Sequence, residues 1–197
     1  MKKVFSSLLF TVIVFTGLAQ VKQDTAQHLV FKGVPIDGTL DDYVSKMKQS
    51  GFTLAQIKDR TAILNGDFAG YKDCFVGVST LNQKDLVYKI AVIFPNKETW
   101  STLSGNYFEL KQMLTEKYGK PSSVVEQFDG YSQPNNDRDK MYGVRFDNCK
   151  YSSIWQTDKG EIQLSISHNS VSNCFVTLAY FDKVNSEKIK AKAKDDL

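Results

Sequence analysis

The stretch Leu86-Val87-Tyr88-Lys89-Ile90-Ala91-Val92-Ile93-Phe94-Pro95 decides how the rest of the chain is read. Period-two alternation puts Leu86, Tyr88, Ile90, Val92 and Phe94 on one face, the pattern of a strand buried on one side. Pro95 has no N–H to offer a ladder and closes the strand. Immediately downstream the period changes. Trp100, Leu103, Tyr107, Leu110 and Leu114 recur every three or four residues and predict a helix over 97–118, capped from Asn96-Lys97-Glu98. Gly105 interrupts it as a kink or a close contact, and Gly119 with Pro121 stops it.

The same order occurs on either side of this stretch. Upstream, Thr39 with Asp42 caps a helix whose Leu40, Val44 and Met47 share a face, and Gly51 ends it. Strand-like runs follow at 52–57, 61–69 and 74–81. Downstream come a strand at 124–128, a polar loop at 129–140 and a segment at 141–149 that reads equally as helix or strand. A hairpin then runs over 151–157 and 161–168, turning at Asp158-Lys159-Gly160. A strand at 174–181 precedes a last helix capped by Asn185 or Ser186, with Ile189, Ala193 and Leu197 on a thin stripe. Both halves close on an apolar strand ending in Phe, at Phe94 and Phe181. The expected fold is therefore α+β. It consists of two tandem helix-plus-antiparallel-sheet units, residues 20–95 and 96–197, forming one continuous sheet with helices on one face.

Residues 1–19 carry a leader pattern: Met1-Lys2-Lys3, an apolar run from Val4 to Leu18, and the small residues Gly17 and Ala19. The expected cut lies between Ala19 and Gln20, which sends the protein to the periplasm or out of the cell. Ser6, Ser7, Thr11 and Thr16 interrupt the run, which falls short of the ~20 apolar residues of a membrane span. No later stretch is a candidate span. Lys2 and Lys3 leave with the leader, so 23 basic residues face 22 acidic ones, and no basic field for nucleic acid remains. The 42% hydrophobic and 12% aromatic content supplies a core and excludes disorder.

Three strings give the chain a resemblance. They are Phe31-Lys32-Gly33-Val34-Pro35-Ile36-Asp37-Gly38-Thr39, Leu64-Asn65-Gly66-Asp67-Phe68-Ala69-Gly70-Tyr71 and Leu114-Thr115-Glu116-Lys117-Tyr118-Gly119-Lys120-Pro121. Together they resemble a group of uncharacterised exported proteins from gut-dwelling Gram-negative bacteria. The resemblance covers most of the mature chain and implies no activity and no site residues. The element order is also similar, in topology, to the beta-lactamase inhibitor protein and to small outer-membrane assembly lipoproteins. No cysteine follows the expected cut to accept a lipid, which departs from the lipoprotein pattern.

The chemistry-bearing residues are sparse. Cys74, Cys149 and Cys174 allow one disulfide in an oxidising compartment. Cys149 and Cys174 flank the expected hairpin and are the pair expected to bridge, which would stabilise by about 3 kcal/mol; three buried thiols are the alternative. The only histidines are His28 and His168, and the latter could serve a Cys149–His168 nucleophile. Asn135, Asn136, Asp137 and Asp139 make an oxygen-rich stretch without the spacing of a calcium loop. No glycine loop suited to phosphate is present, and no cofactor is implied. The lysines of 188–194 read as a solvated helix face. Trp155 among small polar residues, Tyr131 in the loop and Tyr142 in the segment 141–149 are candidate contact residues, with core packing the alternative for Trp155. The function expected is an exported, non-enzymatic binding module. An envelope protein or a saccharide would meet its sheet face and the loop 129–140. The alternative is a hydrolase with dispersed carboxylates or the Cys149–His168 pair.

Overall fold

A computed structural model describes residues 27–81, 85–130 and 134–195. The expected leader and Tyr131 lie outside these residues. The chain folds as β1 (Val30–Phe31), β2 (Val34–Pro35), α1 (Leu40–Gln49), β3 (Thr53–Lys58), β4 (Thr61–Phe68), β5 (Tyr71–Thr80) and β6 (Val87–Ile93). It continues as α2 (Trp100–Tyr118), β7 (Ser123–Phe128), α3 (Asp137–Arg145), β8 (Cys149–Thr157), β9 (Gly160–His168), β10 (Cys174–Asp182) and α4 (Lys183–Asp195). The class is α+β. Eight strands form an antiparallel sheet in the order β3-β4-β5-β6-β10-β9-β8-β7, while β1 and β2 pair as a separate hairpin. Strands β6 and β10, the last of each half, are neighbours at the centre.

Helices α1, α2 and α3 pack on one face of the sheet. There Leu64, Val76, Val92, Leu178 and Leu164 line up across five strands, all fully buried. Helix α1 begins as its capping pattern dictates: the Thr39 hydroxyl accepts from the Asp42 N–H at 3.2 Å. Its Leu40, Tyr43, Val44 and Met47 are buried. Among the described residues no helix is long and apolar enough to cross a membrane.

Several local expectations are corrected. In β6 it is Val87, not Leu86 or Tyr88, that is buried with Ile90, Val92 and Phe94. Opposite Ser79 and Thr80 of β5 the register passes from Lys89 to Val87, so Tyr88 is an extra residue in β6 and inverts the alternation at the strand's start. Helix α2 is capped by Thr99, whose hydroxyl accepts from the Thr102 N–H, and not from 96–98. Gly105 within it has no neighbour within 4 Å of the position a Cβ would take, so it serves no close contact.

The expected loop and the ambiguous segment hold α3. Asn136 caps it, accepting from the Asp139 N–H at 2.9 Å. The Asp137 carboxylate accepts from the Trp100 and Ser101 N–H groups at the start of α2, at 2.9 and 2.8 Å. The oxygens of this acidic stretch thus cap two helices, and among the described residues no cluster of metal-ligating side chains forms. Helix α4 begins at Lys183 with Asp182 as its cap. Asn185 and Ser186, the alternative caps expected, both lie inside the helix, and Asn185 is buried. The side chains of Ile189, Ala193 and Leu197, expected as an apolar stripe, lie outside the described residues.

Candidate functional site

The sheet face turned away from α1, α2 and α3 is built by the alternate residues of the central strands. Phe75, Gly77 and Ser79 of β5 stand opposite Ile93, Ala91 and Lys89 of β6. Ile93 and Ala91 in turn stand opposite Thr177 and Ala179 of β10. Glycine and alanine at the middle of this row keep the floor low, and larger side chains rise on either side. The result is a groove of about 580 Å³ bounded by Pro95, Asn96, Asn169 and Asn173 at the end where β10 begins. The Asn96 amide donates to the Asn173 side-chain oxygen at 3.2 Å and ties this rim together.

The groove has a definite chemical character. Phe75 is 49% exposed, a large apolar area to leave in water. The Lys89 ammonium sits over the Phe181 ring, 4.9 Å from its centre. The Thr61 and Ser79 hydroxyls bond to each other at 3.2 Å, and the lining holds no histidine, cysteine or carboxylate to act on them as a base. Such a surface can bury an apolar side chain and satisfy amide hydrogen bonds. Its polar groups are the Lys89 ammonium, the paired Thr61 and Ser79 hydroxyls and side-chain amides. The aromatic and aliphatic members of this face escaped the sequence reading. The signal was Phe75 on the solvent-side parity of β5, in register with Gly77 and Ser79.

The residues singled out from sequence are dispersed. Trp155 is 1% exposed on the helix-covered face, and its indole N–H donates to the Gly119 carbonyl at 2.9 Å, so it packs the core and fixes the end of α2. Tyr142 is 58% exposed on α3 and lies against Phe146, itself 48% exposed, with ring centres 4.2 Å apart. This exposed aromatic pair stands away from the groove lining. Tyr131 lies outside the described residues.

All three cysteines are free thiols, so the expected Cys149–Cys174 disulfide is absent. The sheet order gives the reason. Strand β9 separates β8 from β10, and two strand spacings amount to about 10 Å, against the ~7 Å Cα limit of a bridge. His168 faces Cys174 across β9 and β10, and its Nε2 lies 3.0 Å from an Asp147 carboxylate oxygen. Its buried Nδ1 has no hydrogen-bond partner among the described residues, so no Cys149–His168 hydrogen bond forms.

Burial, and then the neighbouring Cys174 and Asp129, push the Cys149 thiol up to about 12, the reverse of an activated nucleophile. Alkylation of the native protein with iodoacetamide at pH 8 is accordingly expected to be slow at Cys149, with all three thiols reacting promptly in denaturant. One fast-reacting native thiol, mapped to Cys149 by mass spectrometry, would restore the nucleophile. The sign of the linkage follows. The raised value stabilises the fold below the thiol's ordinary value near 9, and that contribution fades as pH rises toward 12.

No protein-family model, no curated protein and no solved structure matches this chain. The groove and its chemistry therefore carry the functional reading.

Proposed function

We propose that the chain is an exported, non-enzymatic binding module of the bacterial envelope whose open sheet face receives a protein partner. The observation behind this reading is the groove itself: an apolar floor with Phe75 half in water, an amide rim and a single cation. Exposed aromatic area beside low, small residues is the usual form of an interface anchor point. The lining holds no histidine, cysteine or carboxylate, and Cys149, the nucleophile of the hydrolase alternative, is held as a thiol. The Tyr142–Phe146 pair is a second aromatic surface, and a saccharide would find its stacking platform there.

Export by the leader at 1–19, a periplasmic or extracellular location and membership of the uncharacterised exported group belong to the same proposal. So does descent from two tandem units. Its support is the strand order, in which each half contributes four strands to the sheet and sends its last strand to the centre.

The test is retention of a partner from bacterial envelope extract on the immobilised mature protein. The wild type is expected to retain a defined protein, and Phe75→Glu to retain at least about tenfold less of it with an unchanged circular dichroism spectrum. Equal retention by both would remove the groove from the interface. No retained protein at all would count against the module reading.

A further inference from the structure

On the helix-covered side a second cavity opens between the β1–β2 hairpin, the C-terminal end of α2 and the β8–β9 turn. It measures about 390 Å³, within the range of small-molecule sites. Its floor is aromatic. The Phe31 ring stacks on Phe68 at 5.0 Å and meets the edge of Tyr180 at 5.6 Å. Phe31 and Tyr180 are buried and held from several sides, so this floor is rigid.

The rim is cationic: Lys32 comes from the hairpin turn, Lys117 from the last turn of α2 and Lys159 from the β8–β9 turn. No carboxylate lines the cavity, and among the described ion pairs none involves these three lysines. Three like charges brought to one apolar opening repel one another, and an anion lodged between them would relieve that repulsion. The Lys32 ammonium lies 5.8 Å from the centre of the Phe52 ring, and the Lys117 ammonium 5.0 Å from that of Tyr118. Lys32 adopts a left-handed conformation at φ 51°, followed by Gly33 at φ 80°, which is unusual for a non-glycine residue.

We infer that this cavity binds a small amphiphilic anion, its apolar body against Phe31, Phe68 and Tyr180 and its carboxylate among Lys32, Lys117 and Lys159. The apolar floor supplies affinity in proportion to the area buried, and the lysines select the charge. This site is separate from the groove on the other sheet face, and its occupation does not depend on the partner proposed there.

Calorimetric titration with octanoate, octanol and octylamine, which share one apolar chain and differ in head charge, tests the inference. Octanoate is expected to bind with a Kd below about 1 mM, at least about tenfold tighter than octanol, with octylamine weakest. Raising the salt should weaken octanoate and leave octanol unchanged. The exposed substitution Lys117→Glu, and separately Lys159→Glu, should each weaken octanoate about tenfold without moving the melting temperature. Equal affinity for octanoate and octanol, or indifference to both substitutions, would overturn the lysine rim. No octanoate binding at millimolar concentration would overturn the site.

Discussion

Asp182→Ala is expected to destabilise the fold by about 3–5 kcal/mol, the range found when one member of a buried charged hydrogen-bonded set is removed. The carboxylate is wholly buried and accepts three hydrogen bonds. They come from the Leu29 N–H at 2.8 Å, the Asn185 N–H at 3.0 Å and the His28 Nδ1 at 3.0 Å. One residue thereby anchors the segment leading into β1 and caps α4. Alanine would leave the Leu29 and Asn185 N–H groups and the His28 Nδ1 without this acceptor, and each such orphan costs about 1–3 kcal/mol. The effect spreads through Asn185, whose amide donates to the Ile36 carbonyl at 3.2 Å, the Asp37 side chain at 3.0 Å and the Val87 carbonyl at 2.8 Å. Urea denaturation followed by circular dichroism reads the loss as a lower midpoint at an unchanged slope. For a domain of this size it corresponds to a fall in melting temperature of about 10 °C. A loss under about 1 kcal/mol would mean that this network carries little of the fold's stability.

The same network marks where sequence reading succeeds and where it stops. Helix α1 was legible because its signals are local: a cap, an apolar face and a terminal glycine all within a dozen residues. The hairpin β8–β9 was legible for the same reason, with alternation on both sides of one turn. The start of β6 was misread because Tyr88 is the extra residue of a bulge opposite Ser79 and Thr80 of β5, and strict alternation along the strand does not allow for it. The first half of helix α3 reads as loop, and its second half stays open between helix and strand, because five of its nine residues are charged and its Asp137 serves the start of α2, so the stretch has the composition of a loop. Asp182 drew no reading from the sequence because its roles depend on His28 and Leu29, more than 150 positions away.

The cysteine pairing failed on topology. Closeness to one hairpin suggested a bridge, and the hairpin's second strand is what holds the two thiols apart. The cavity beside Tyr180 draws on the hairpin β1–β2, Phe68, the end of α2 and a turn, which only the finished sheet assembles. The groove was half legible. Strand parity predicts an outer row, and the central order of β5, β6 and β10 that turns this row into one surface is a tertiary fact.

Gly160→Ala is the second large effect, at about 3 kcal/mol or more, and it reports on the same corner of the molecule. A Cβ at this position would stand 2.1 Å from the Phe181 carbonyl oxygen, 2.8 Å from a Leu29 methyl and 3.0 Å from the Lys183 N–H. Two of these are backbone atoms of the neighbouring strand and of the first turn of α4, which cannot rotate aside. The glycine's φ of 150° adds strain for any side chain. Its surroundings are pinned as well. The Thr157 hydroxyl accepts from the Gly160 N–H at 3.1 Å, and Lys183 donates its N–H to the Lys159 carbonyl at 2.9 Å. Relief therefore requires β9 to part from β10 at the Gly160–Asp182 pair, which disturbs the Asp182 hydrogen bonds too. Hence the double variant Gly160→Ala/Asp182→Ala should lose less than the sum of the single losses, by more than about 0.5 kcal/mol. Gly105→Ala is the matched control. It lies in the middle of α2 with open space around it, so alanine there should stabilise by about 0.5–1 kcal/mol. Strictly additive losses at 160 and 182, measured by urea denaturation, would show that the β9–β10 end and the Asp182 anchor yield independently.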